Sequence, residues 1–151
     1  MRAGLPFLVA TGCYSGLSPK APGTAGSLAA AILGAGLLAV SPALLAPAAL
    51  AAAIAGFWAV PFVAGPNDDP GEVVIDEWAG QFLTMAALPH FSLLGVLAAF
   101  ALFRLFDITK PGPIGWADRQ PGAFGIMTDD IFAGAAAAIV LMVIRHFGWL
   151  P

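Results

Sequence analysis

The chain has 151 residues, a formal net charge of -3, 60% hydrophobic and only 10% charged residues, and a mean hydropathy of +0.89. Soluble domains average roughly 25% charged residues, so this composition belongs to a bilayer. Six Lys+Arg provide no basic stripe that could neutralise nucleic-acid phosphates, which excludes a DNA or RNA partner. The single cysteine, Cys13, excludes an internal disulfide and reads as a small buried hydrophobe.

At the start, MRAGLPFLVATGCYSGL carries one arginine and an apolar run broken by Pro6 and Gly12, without a clear cleavage site. Residues 1–17 are therefore read as mature sequence and expected to form a short helix lying in the membrane interface. From Ala21 to Asn67 no residue is charged. A span needs about 20 apolar residues, so this run holds two, expected over residues 25–41 and 44–64 with a turn at Ser41 and Pro42. Gly34 and Gly36 allow neighbouring backbones to approach.

Gly65, Pro66, Asn67, Pro70 and Gly71 mark a loop, and residues 73–88 a short helix that Pro89 ends, with Asp76 and Glu77 in its first turns. A fourth helix is expected over residues 91–107, carrying Arg104 and Asp107 in its last turns. Pro111, Pro113, Pro121 and four glycines make residues 108–127 a loop. Thr128 then reads as the N-cap of a last helix, placing Asp129 and Asp130 where the dipole favours negative charge. The expectation is an all-α, polytopic membrane bundle of about five helices, one domain over 1–151, with its site built from loops and helix ends. Five crossings put Lys20, Lys110 and Arg119 on one side, with Arg104 adjoining and Arg145 opposite, so that side is expected to be cytoplasmic.

All nine acids fall in two clusters: Asp68, Asp69, Glu72, Asp76 and Glu77, then Asp107, Asp118, Asp129 and Asp130. Acids at a membrane boundary are costly to desolvate and call for cations or a metal. On a continuous helix Glu72, Asp76 and Gly80 would share a face, while Glu77 is turned about 100° from Asp76, so adjacent acids should point apart. A metal site must then combine segments, from Asp76, Glu77, Asp107, Asp129 and Asp130. Oxygen ligands alone suit Mg²⁺ or Mn²⁺; zinc is disfavoured because His90 and His146 fall at the far side and Cys13 is isolated. The plainer alternatives are dipole complementation by Asp129 and Asp130, an i, i+3 pair of Arg104 with Asp107, and solvated loop positions for Asp68 and Asp69; for Asp68 and Asp118 the structural reading is favoured.

The segment GLSPKAPGTAGS places Lys20, Gly23, Thr24, Gly26 and Ser27 where a helix begins, a setting in which free N–H groups, hydroxyls and an ammonium could face phosphate. It lacks the G-K-[ST] of a Walker loop, and an N-cap by Thr24 is the plainer reading. No cysteine-phosphatase or G-x-S-x-G motif is present. Hydrolysis would most simply use water activated by a metal and positioned by a carboxylate; an aspartyl-phosphate intermediate stays open. The alternative class is a small cation transporter or another non-enzymatic membrane protein; a transport path should place acids at several depths, whereas here they gather at one level.

Four blocks, GLSPKAPGTAGS, DPGEVVIDEWAGQ, FRLFDITKPGPIGWADR and GIMTDDIFAG, resemble the phosphatidylglycerophosphatase A family in order and spacing across residues 16–134. The resemblance implies a polytopic membrane phosphatase that needs Mg²⁺ and removes the terminal phosphate of phosphatidylglycerophosphate, an anionic phospholipid, at the cytoplasmic face of the bacterial inner membrane. With it, Asp76, Glu77, Asp107, Asp129 and Asp130 are expected to bind metal or activate water. Lys20, Thr24, Arg104, Lys110 and Arg119 are expected to hold phosphate oxygens.

Overall fold

The computed structural model describes residues 4–150; the part of the expected interfacial helix at residues 1–3 lies outside them. The described residues form seven α-helices and no strand. These are α1 (Leu5–Ala10), α2 (Pro22–Val40), α3 (Leu45–Ala59), α4 (Ile75–Met85), α5 (Leu93–Thr109), α6 (Pro113–Asp118) and α7 (Gly122–His146). Short 3₁₀ turns, Pro42–Leu44 and Val60–Phe62, extend α3 at both ends.

Three helical stretches, Pro22–Val40, Pro42–Phe62 and Gly122–His146, are long and apolar enough to cross a membrane. Their outer faces carry large apolar side chains, such as Ile32 and Val40 on α2, Leu50 and Ile54 on α3, and Ile139 and Val143 on α7, all exposed. Most of the buried positions are small: Gly26, Ala30, Ala31 and Gly34 on α2, Ala49, Ala52, Gly56 and Ala59 on α3, and Ala133, Gly134, Ala137 and Ala138 on α7. This is the arrangement expected where the surrounding solvent is lipid and helices associate through close packing.

The centre of the bundle is α4, which packs against α2, α3, α5 and α7. The expectation of a spanning third helix over residues 73–88 is corrected: α4 has 11 residues, about 16 Å at 1.5 Å per residue, against a hydrocarbon core of ~30 Å. Because α4 begins at Ile75, Glu72 lies before it and shares no helical face with Asp76. Burial of Asp76, Glu77, Gln81 and Thr84 makes α4 a polar core helix inside an apolar shell.

Other expectations are also corrected. The last helix begins at Gly122, six residues before Thr128, so Asp129 and Asp130 are buried in its third turn and do not complement its dipole. The glycines read as breakers there serve packing: a Cβ on Gly125 would lie 2.0 Å from the Gln120 carbonyl oxygen. Within the expected 108–127 loop stands α6. Helix α2 starts at Pro22, with Ala21 at the cap position, so Thr24 is not its N-cap. Cys13 is exposed, in a turn where Gly12, Cys13 and Tyr14 all have positive φ. Short helix α1 is tied to the core through the Val74 N–H, which donates to the Ala10 carbonyl at 2.9 Å.

The position of α4 along α7 is set by two glycines. A Cβ on Gly134 would lie 2.5 Å from the Gly80 carbonyl oxygen, and one on Gly80 would lie 2.5 Å from the Asp130 carbonyl oxygen. One turn further along α4, the Thr84 hydroxyl donates to the Gly80 carbonyl at 2.9 Å and the Gly134 carbonyl at 3.2 Å. Asp76 stands four residues before Gly80, and Asp130 four before Gly134. The crossing therefore carries both carboxylates to the same end of the bundle.

Candidate active site

At that end lies a cavity of about 600 Å³, lined by the start of α2, the 66–73 loop, and the ends of α4, α5, α6 and α7 that meet there. Eight of the nine acids line it: Asp68, Asp69, Asp76, Glu77, Asp107, Asp118, Asp129 and Asp130. Such confinement to one level is the opposite of a chain of acids through the bilayer. His90, past the end of α4, and His146, the last residue of α7, are exposed and do not line this cavity.

Asp76, Glu77 and Asp130 are buried, and one carboxylate oxygen from each lies within 4.8 Å of the other two. The expected divergence of Asp76 and Glu77 is thus corrected. In the first turn of α4 the longer glutamate side chain recovers the direction that its 100° rotation takes away. Glu77 also sits against the opening turn of α2, where a Cβ on Gly23 would meet its Oε1 at 2.4 Å.

Burial, and then the neighbouring Asp130, push Glu77 up to about 8. Burial and the Glu77 charge likewise raise Asp76 well above the usual carboxylate range. Asp76 Oδ1 and Glu77 Oε2 are buried without a hydrogen-bond partner. A compact, oxygen-only donor set with unpaired buried oxygens fits a hard divalent cation such as Mg²⁺. In the presence of a chelator, a glutamate with a raised folded-state pKa binds more protons folded than unfolded, so stability falls as pH rises from about 4.5 to about 8. Thermal unfolding in detergent should show this decline in chelator and a flattened one in Mg²⁺.

The other two acids of the expected metal set have cation partners. Asp107 is paired with Arg104, one turn earlier on α5. Arg104 Nη1 also lies 4.0 Å from Glu77 and donates to Ser27 Oγ at 3.4 Å, while Nη2 donates to Thr24 Oγ1 at 3.4 Å. Asp129 accepts from Lys110 Nζ at 2.5 Å, and Asp118 binds the same ammonium. Lys110 ends α5 in a left-handed conformation (φ 46°), which turns the chain toward α6. Burial alone would lower the Lys110 pKa, but the bonds to Asp118 and Asp129 outweigh it and hold the group above the ordinary lysine range.

Of the expected phosphate-binding residues, Arg104, Lys110 and Arg119 line the cavity. Thr24 reaches it only through Arg104, and Lys20 is exposed and does not line it. Sequence reasoning missed the glycine pair at the α4–α7 crossing. The signal was present, since Asp-x-x-x-Gly occurs in both helices, at Asp76/Gly80 and at Asp130/Gly134.

An apolar helical shell around a polar core helix, opening at one end into a cavity of carboxylates and cations, is an arrangement that suits a membrane enzyme acting on an anionic ester. Comparison with known proteins gives the family. The chain belongs to the phosphatidylglycerophosphatase A family, whose profile matches residues 8–145. It is 42% identical to phosphatidylglycerophosphatase A of Haemophilus influenzae over 93% of this chain and 88% of that protein. To the Escherichia coli K12 enzyme of the same name it is 39% identical, over 92% and 83%. A Bacteroides thetaiotaomicron protein provisionally named phosphatidylinositol-3-phosphatase is 40% identical, over 93% and 94%. No solved structure matches the chain.

Proposed function

We propose that this protein hydrolyses the terminal phosphomonoester of phosphatidylglycerophosphate to phosphatidylglycerol and inorganic phosphate, with Mg²⁺, at the cytoplasmic face of a bacterial inner membrane. The observation that carries the reading is the convergence of the Asp76, Glu77 and Asp130 carboxylates with Arg104, Lys110 and Arg119 in one cavity at one end of an apolar bundle. The names of the two phosphatidylglycerophosphatase relatives supply the substrate. The cytoplasmic orientation is supported by charge: Lys20, Arg104, Lys110 and Arg119 belong to the cavity end and Arg145 to the other.

Asp76, Glu77 and Asp130 would hold the Mg²⁺. When bound, the ion supplies Lewis-acid polarisation of a phosphoryl oxygen and lowers the pKa of water. Arg104 and Lys110 face the developing negative charge, each already oriented by a carboxylate, Asp107 for Arg104 and Asp129 for Lys110. Such fixed cations need no reorganisation as the ester bond breaks. The opening turn of α2, at Pro22 and Gly23, adds a helix N-terminus to the cavity wall. Arg119 completes the cationic lining from the end of α6.

Lys110→Met should lower kcat/KM at least about tenfold, a loss of about 1.4 kcal/mol, because it removes a phosphate cation and frees Asp129 to repel the substrate. Steady-state kinetics on detergent-solubilised lipid measures this. The substrate itself is tested by phosphate release from phosphatidylglycerophosphate, phosphatidylinositol-3-phosphate and phosphatidic acid in matched micelles. Preference for the first is expected; exclusive cleavage of the second would move the chain to the activity named for the Bacteroides relative.

A further inference from the structure

Beside the polar cavity runs an apolar groove of about 490 Å³ between Phe106 of α5, Ile114 of α6, and Phe132, Ala135, Ala136 and Ile139 of α7. Its α7 wall, Phe132, Ala135, Ala136 and Ile139, follows i, i+3, i+4, i+7 spacing along a helix long and apolar enough to span. Two alanines there provide the hollow, and Phe106, Phe132 and Ile114 form its sides.

The groove and the cavity share their walls. On α5, Phe106 faces the groove and Asp107 the cavity; on α7, Phe132 lies one turn beyond Asp129. Helix α6 joins them, with Pro113 and Ile114 in the groove and Asp118 in the cavity. From Phe132 to Ile139 the groove runs about 10 Å along α7, away from the carboxylates and along the apolar wall. A phosphorylated diacyl lipid has this same division, a phosphate joined to hydrocarbon that must leave the polar site without crossing charge.

We infer that the groove between α5, α6 and α7 seats the first part of an acyl chain of the phospholipid substrate, so that the enzyme reads a lipid tail as well as a phosphate. This rests on the lipid-phosphatase reading above. In a bilayer the chain is already in hydrocarbon, so seating it on this surface takes no methylene out of water. The groove therefore orients the ester more than it adds affinity, and its contribution should appear as chain-length discrimination in dispersed substrate.

The test compares long-chain phosphatidylglycerophosphate with its dihexanoyl counterpart, both in detergent, for wild type, Ala136→Phe and Ile139→Trp. Ile139 is exposed, so the second variant folds even where the first is overpacked. Filling the groove should cut kcat/KM for the long-chain lipid at least tenfold more than for the dihexanoyl lipid. Leu97→Trp, exposed on α5 outside the groove, should leave that ratio at the wild-type value. Equal losses on both lipids, or an unchanged ratio, would overturn the inference. So would variants that change only the oligomeric state, making the groove an interface between copies. A wild type inactive on both lipids counts against the phosphatase reading instead. The groove is then judged by a photo-crosslinker at position 139, which should capture the acyl chain of phosphatidylglycerol in mixed micelles; failure to capture it overturns the groove.

Discussion

Asp76→Asn and Asp130→Asn should each lower turnover of phosphatidylglycerophosphate by about 10³-fold or more while the protein stays folded. The size follows from the several kcal/mol that a bound cation contributes to phosphoryl chemistry, at about 1.4 kcal/mol per factor of ten. Both carboxylates are buried within 4.8 Å of each other and of Glu77, so each neutral amide removes a repulsion that a bound proton or a cation otherwise offsets. The variants should therefore unfold at the same temperature as wild type, or higher, when chelator is present, and lose the wild type's stabilisation by Mg²⁺. Turnover and thermal unfolding in detergent measure the two effects separately. Near-normal turnover in both variants would remove these carboxylates from the chemistry.

Gly134→Ala is the second large effect, and it acts at a distance. The added Cβ would stand 2.5 Å from the Gly80 carbonyl oxygen and 2.8 Å from its Cα, both backbone atoms that cannot rotate away. The helices must part, and overpacking of this kind costs about 1–3 kcal/mol. Separation at Gly80 and Gly134 also moves Asp76 from Asp130 one turn away, and misplacement on the order of 1 Å can cost about 10² in rate. Expected, then, is a variant that folds less stably and turns over about 10²-fold more slowly although every charged residue remains. Gly36→Ala, where a Cβ meets nothing within 4 Å, is the control, with activity retained and helix propensity improved by up to about 1 kcal/mol. Equal activity in the two glycine variants would show that the crossing does not position the carboxylates.

What the sequence makes legible is chemistry concentrated against a blank background. Nine acids in two short clusters of an otherwise apolar chain point to the site before any fold is known, and the uncharged run from Ala21 to Asn67 marks α2 and α3. The lengths of helices are less legible, because glycine has two meanings. Gly122 and Gly125 read as a loop, yet they open α7: Gly122 has φ 62° and Gly125 has no room for a side chain. The buried placement of Asp129 and Asp130 follows from that earlier start. Nor does helical rotation alone decide where adjacent acids point, since Glu77 reaches back toward Asp76 at the mouth of α4.

The sorting of the acids is a tertiary fact. One sequence shows that Asp107 is three residues from Arg104, but not that Lys110 meets Asp129 across 19 positions. Those pairings separate two acids that orient cations from the three that remain together. Lys20, which a linear reading places near phosphate, falls outside the cavity. It precedes α2 on the exposed side, and Gly23 takes the place against Glu77.

The most direct test is phosphate release from phosphatidylglycerophosphate by detergent-purified protein, measured with Mg²⁺, with chelator, and for Asp130→Asn with Mg²⁺. Release by wild type in Mg²⁺ alone, absent in chelator and in the variant, is the predicted result. Release that persists in chelator, or none from well-folded wild type in Mg²⁺, would contradict a metal-assisted phosphatase built on Asp76, Glu77 and Asp130.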